Sequence, residues 1–173
     1  MSGVEHFNES HFEKVFVSDD AVLGAVGEGW KQITSELALE RSGPERFLST
    51  FVALEKALQQ GAAGMSGHQA AVVGSILARI RALRAMSLGV AALLGQGHSP
   101  EVEAALVKDL GTRLEQDIIE RLREFWPVQM KPGNGDQLQH LMSDSLLRQP
   151  SFTLRGGTNE VLKNIIARGM GLR

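Results

Sequence analysis

Apolar residues recur along most of this chain at helical spacing, three or four positions apart, and the pattern divides it into consecutive helices. From Glu28 onward Trp30, Ile33 and Leu37 form one stripe, and Phe47, Phe51, Leu54 and Leu58 form another. Between them lies Ser42-Gly43-Pro44-Glu45. Ser with Glu three residues on is a capping box, and Pro starts helices better than it continues them, so this stretch reads as a break; a kinked continuous helix is the competing reading. Gly61 to Gly67 is a loop opening into the longest periodic segment, with Val73, Ile76, Ile80, Leu83, Val90 and Leu94 on its stripe and Gly95 and Gly97 at its end. Ser99-Pro100-Glu101 supplies a cap, a proline and an acid in the order that begins a helix, whose stripe runs from Val102 through Leu106, Leu110, Leu114, Ile118 and Leu122 to Phe125 and ends at Trp126-Pro127. Turn chemistry fills 130–136, a short helix spans about Gln137 to Leu147, and Arg148-Gln149-Pro150 breaks it.

The expected fold is all-α: an antiparallel, up-down four-helix bundle with one short extra helix and a short strand-like segment near the N-terminus. That segment, Phe12 to Val17, mixes β-formers in loose alternation. A lone strand leaves its edges unpaired, so it requires a partner from another domain or chain.

At the other end, Gly156-Gly157 and Thr158 precede a helix whose apolar residues are Val161, Leu162, Ile165 and Ile166. Thr158 is the candidate N-cap. Glycines at such a junction allow a sharp turn and close approach, and the free N–H groups of the first helical turn attract anions. A phosphate site and a plain loop both fit these residues. Glu160 would repel an anion there, and Arg155 could offset it.

Composition narrows the function. At 173 residues one core is expected, burying roughly 70% of the unfolded surface. A net charge of −2, from 18 basic and 20 acidic residues, provides neither the field that nucleic acid requires nor a polybasic membrane patch. The absence of Cys excludes disulfides and thiolate metal sites. The first six residues have no basic or apolar signal region and no apolar run reaches spanning length, so a cytoplasmic location without membrane contact is expected. His6, His11, His68, His98 and His140 share no metal-ligand spacing; Met65, Met86, Met130, Met142 and Met170 read as packing; and Trp30 and Trp126 read as helix-end anchors.

Two separated segments resemble one family. Arg155-Gly156-Gly157-Thr158-Asn159-Glu160-Val161-Leu162, followed by Asn164-Ile165-Ile166-Ala167-Arg168 and a terminal Gly-Leu, is similar to the ending of the flavin-dependent acyl-CoA dehydrogenases. Asn8-Glu9, Phe12, Val15-Phe16-Val17, Leu23-Gly24, Gly27-Glu28-Gly29-Trp30 and Leu39-Glu40-Arg41 resemble the passage of those enzymes from a central β-domain into a C-terminal bundle. The resemblance implies that residues 1–26 are the remnant of a β-domain and 27–173 the helical bundle, with about two hundred preceding residues of the family's pattern absent.

It also implies chemistry. Such enzymes remove the α and β hydrogens of an acyl-CoA thioester; a glutamate takes the α-proton and the β-hydrogen leaves as hydride to FAD, which is bound between domains and across a subunit interface. In most members the glutamate immediately precedes the Gly-Thr of the ending, where this chain has Gly156. A minority, resembling isovaleryl- and long-chain-type enzymes, carry it on the first bundle helix directly before an arginine, and Glu40-Arg41 matches. The resemblance therefore assigns Glu40 as the base, Arg41 and Gly157 to the substrate, and Thr158, Asn159 and Glu160 to FAD of a neighbouring subunit. Read from the residues alone, Glu40 and Arg41 form a solvated surface pair and Thr158 is only a cap. The family's Arg-x-x-Phe-Gly segment is not found, Gln59 to Gly67 standing in its place, and Pro132-Gly133-Asn134-Gly135 replaces its Gly-Gly-x-Gly. These departures imply that FAD needs residues beyond this chain. A homo-oligomer, dimer or tetramer, or a complementary subunit is the expected partner, because faces covered by other domains should be apolar. The alternative is a non-catalytic helical oligomerisation module derived from the same family.

Overall fold

The computed structural model describes residues 8–126 and 136–172, and within these it is helical, without a strand. Six α-helices follow in order: α1 (Gly29–Ser42), α2 (Phe51–Gly61), α3 (Gly67–Gly95), α4 (Glu101–Phe125), α5 (Gln137–Arg148) and α6 (Asn159–Gly169). Short 3-10 turns at Pro44–Arg46, Ala62–Gly64 and Gln149–Thr153 join several of them.

Helix α4 is central and packs against α1, α2, α3, α5 and α6. Its sequence explains why. Ala104, Ala105 and Gly111 are small and fully or nearly buried, which lets neighbouring backbones come close, while Leu114, Ile118, Ile119 and Leu122 fill the core. A Cβ on Gly111 would lie 2.4 Å from the Arg46 carbonyl oxygen, so glycine is what allows the 3-10 turn at Pro44–Arg46 to rest on α4. Phe47, Leu54, Ile76, Leu83, Leu138 and Met142 complete the core from the surrounding elements.

Several expectations need correction. The chain breaks after Ser42 instead of running on as one kinked helix, but not through the Ser42 capping box: Ser42 is the last residue of α1 with its hydroxyl directed at the Leu39 carbonyl, and Gly43 precedes the 3-10 turn without a side-chain cap. Likewise Pro100, not Ser99, occupies the N-cap position of α4, and no side chain caps it. The stripe of Trp30, Ile33 and Leu37 does not enter the core, for Trp30 is 81% exposed and Ile33 is exposed as well. Trp126 does anchor the end of α4, edge-on to Phe125 and close against Gly61. Phe12 to Val17 form no strand, and Phe16 is 89% exposed. With no strand among the described residues there is nothing for this segment to pair with. The turn expected over 130–135, with Met130, and Pro127 at the end of α4 lie outside the described residues, as does His6.

In the longest periodic segment the helix forms as expected and four of the six stripe residues are buried, Ile80 and Leu94 being half-buried. Val73, Ile76, Leu83 and Val90 of α3 are buried, and Ser66 opens that helix with a complete capping box to Gln69. Thr158 caps α6, its hydroxyl accepting from the Val161 N–H at 3.4 Å. Leu162 is the buried member of the α6 stripe, while Val161 is exposed.

Candidate active site

The last turn of α1 and the glycine turn before α6 meet. Gly156 and Gly157 both have positive φ, +64° and +96°, which L-residues rarely adopt, and the turn presents backbone to the end of α1. Arg41 donates from Nε to the Gly156 carbonyl oxygen at 2.9 Å. Its guanidinium is buried, and burial lowers its pKa from the ordinary value, an effect opposed by the charges of Glu101 and Glu40. A Cβ placed on Gly156 would lie 3.7 Å from Glu40 Oε1, and one on Gly157 would lie 3.6 Å from Arg41 Nη2. The structure thus brings together Glu40, Arg41, Gly156 and Gly157.

Glu40 is held by a second arginine. Arg46, buried on the 3-10 turn after α1, donates from Nη2 to Glu40 Oε1 at 2.7 Å and from Nε to the Glu40 carbonyl oxygen at 2.7 Å. One planar guanidinium thereby grips side chain and main chain of the same residue, which restricts the glutamate rotamer. The Glu40 side chain remains 47% exposed, so its carboxylate faces an approach from solvent.

The three residues expected at a flavin divide differently. Asn159 is turned inward, 6% exposed, and its Oδ1 accepts from Lys108 Nζ at 2.6 Å. The Thr158 hydroxyl caps α6. Glu160 stands exposed on the first turn of that helix, able to accept from hydroxyl or N–H donors but ill suited to a pyrophosphate. With the Asn159 amide oxygen committed to a buried lysine and the Thr158 hydroxyl to the helix cap, these residues do not make a flavin pocket by themselves.

Sequence reasoning missed the support beneath the turn. Lys108 and Glu115 on α4 are fully buried, and Thr112 between them nearly so. Lys108 Nζ bonds the Thr153 carbonyl oxygen at 3.0 Å as well as Asn159. Burial pushes the Lys108 ammonium down to about 8, with Arg46 and Arg155 adding to the fall and Asp109 and Glu160 opposing it. Glu115 accepts from the Ser49 N–H at 2.7 Å and from Arg155 Nη2 at 2.5 Å, while Arg155 lies over the Phe152 ring at 4.3 Å. Arg155 is therefore occupied with Glu115 and not with Glu160. No sequence signal singled them out: α4 also carries Arg113, Asp117, Glu120 and Arg121, so a charge at 108 or 115 does not stand apart from the charges of its solvated faces.

Among the described residues no group of three or more His, Asp or Glu could hold a metal ion, and no helix is long and apolar enough to cross a membrane.

The chain has relatives in sequence and in fold. The chain is 28% identical over 178 residues to the acyl-CoA dehydrogenase FadE34 of Mycobacterium tuberculosis (strain ATCC 25618 / H37Rv), an alignment covering 99% of this chain and 24% of that protein. The chain thus spans about a quarter of the length of this curated relative. It superposes on the solved structure of the Tcur3481-Tcur3483 steroid ACAD G363A variant with a TM-score of 0.68 at 21% identity, covering 87% of this chain and 42% of that one, which shows a shared fold. The model of the acyl-CoA dehydrogenase C-terminal domain matches residues 27–171, and the chain belongs to that family.

Proposed function

We propose that this chain is the C-terminal helical part of a flavin-dependent acyl-CoA dehydrogenase, in which Glu40 removes the α-proton of an acyl-CoA thioester. One observation carries the reading: Glu40 Oε1 reaches within 3.7 Å of the point where a side chain on Gly156 would begin. In most of the family the glutamate grows from that turn; here the end of α1 supplies a carboxylate to the same place. Abstraction of a weakly acidic C–H requires a carboxylate fixed in line with the bond, and the two-point grip of Arg46 supports that role. Arg41 and the open backbone of Gly157 are assigned to the thioester side of the site.

The described residues form only an edge of a flavin site, so in this reading FAD is held chiefly by residues contributed from another domain or subunit. Residues 1–26 are read as the exit from a β-domain and 27–173 as the family's antiparallel four-helix bundle. The exposed Phe16, Trp30 and Ile33 support burial of the N-terminal segment and of α1 against such a domain or subunit, or within a dimer or tetramer of this chain. The same exposed residues, with Asn159 turned inward, favour one alternative: a helical oligomerisation module without catalysis.

The test is turnover of an acyl-CoA with the completing domain or subunit present and FAD added. Glu40→Gln keeps the shape and an acceptor for Arg46, and it should lower turnover by at least about a thousandfold, the scale of losing a positioned base with its alignment. Unchanged turnover removes Glu40 from its role. An assembly that never acquires the visible absorbance of bound flavin favours the module.

A further inference from the structure

We propose that the polar face of α4 formed by Lys108, Thr112 and Glu115 positions the glycine turn at Gly156 against Glu40. The functional meaning of that positioning rests on the reading of Glu40 above; the positioning itself does not.

The three side chains stand four and three residues apart and so share one helix face. All are buried, and each bonds the segment that makes the turn. Lys108 grips it on both sides of the glycines, at the Thr153 carbonyl oxygen before them and at Asn159 Oδ1 after them. The Thr112 hydroxyl reaches the Phe152 carbonyl oxygen at 3.5 Å. Glu115 takes the guanidinium of Arg155, the residue directly before Gly156. Its other oxygen accepts the Ser49 N–H, and its carbonyl accepts the Thr50 hydroxyl at 3.3 Å, so the strand of chain that carries Arg46 is tied to the same helix. Both halves of the site, Arg46 with Glu40 and the turn with Gly156, are thus referenced to one rigid element.

Stability alone does not account for this arrangement. Burying an ammonium and a carboxylate is costly, and apolar residues of similar volume commonly serve stability as well or better. Directional hydrogen bonds fix register more narrowly than apolar packing, which tolerates small shifts. Two successive glycines at positive φ have the widest freedom of any dipeptide, and directional bonds at both their flanks remove it. Lys108 also faces four charges, Arg46 and Arg155 of its own sign and Asp109 and Glu160 of the opposite sign, so its protonation is felt at the turn.

Amide hydrogen exchange of the full chain tests this without reference to turnover. Lys108→Met and Glu115→Gln should each speed exchange across 154–160 by at least about tenfold while α3 stays within about twofold of the parent, the behaviour of a local opening. In the parent the Gly157 amide resonance should titrate with Lys108, midpoint near 8, and in Lys108→Met that step should vanish. If Lys108→Met does not fold, Glu115→Gln, which keeps the shape and the acceptor for Ser49, carries the test. Unaltered exchange at the turn, or acceleration spread evenly over all helices, overturns the proposal. Loosening of the turn together with a Glu40→Gln variant of full turnover would leave the positioning standing and remove the catalytic reading.

Discussion

Glu40 and Gly156 are neighbours across most of the chain: the carboxylate oxygen of one lies 3.7 Å from where the other would carry a Cβ. The glycine leaves room for the glutamate. It also bears a φ of +64°, so a side chain there is strained even where space exists, the closest contact being Arg41 Cγ at 3.4 Å. Gly156→Ala should therefore lower stability by about 1–2 kcal/mol through backbone strain. Thermal unfolding measures this, and an unchanged melting temperature would show that the turn relaxes freely.

Gly111→Ala sets two effects against each other. Alanine favours an exposed helix interior by about 1 kcal/mol over glycine. Here its Cβ would meet a backbone oxygen, that of Arg46, at 2.4 Å, and overpacking against backbone costs about 1–3 kcal/mol. The clash should win, giving net destabilisation by denaturant unfolding. Because Arg46 holds Glu40, the catalytic role proposed for Glu40 requires acyl-CoA turnover of the completed assembly to fall as well.

Two arginine–carboxylate pairs should separate by burial. Arg155→Met leaves the fully buried Glu115 without its cation and should cost about 3–5 kcal/mol. Arg148→Met breaks the exposed pair with Asp144 and should cost less than about 1 kcal/mol. Comparable losses in denaturant unfolding would mean that Glu115 reaches water.

The Lys108 ammonium gives the stability a pH signature. Its folded pKa, about 8, lies below the ordinary 10.5, so between these values the unfolded chain binds the extra proton. Stability must then rise with pH across that window, and the full penalty is present below about 8. The rise attributable to Lys108 is at most about 3 kcal/mol. Unfolding at a series of pH values, with Lys108→Met as reference, should show the difference between the two proteins growing in the parent's favour from pH 8 upward; a flat difference would place Lys108 in contact with solvent.

Apolar periodicity and punctuation by glycine and proline determined the helices. α3, α4, α5 and α6 lie where spacing places them because a helix must bury one stripe, and Val73, Leu83, Leu114 and Leu162 do so. The glycine turn and its Thr158 cap were legible because their chemistry is local. Which stripes meet a core was not local. Trp30 and Ile33 have the right spacing yet remain exposed, since nothing within the described residues packs over them. Ser42 and Ser99 had the composition of caps, but backbone geometry at the actual helix ends assigned them otherwise.

The site divides along the same line. Glu40-Arg41 and the closing turn are short motifs recognisable one at a time, whereas their juxtaposition depends on a close approach between α4 and the 3-10 turn of Arg46 that a single glycine in mid-helix permits. Nothing in one dimension marks Lys108 and Glu115 as buried or turns Arg155 from Glu160 to Glu115, because a residue type specifies its charge but not whether water reaches it. Burial is a property of the assembled helices, and only the tertiary structure turned those charges inward to grip the turn.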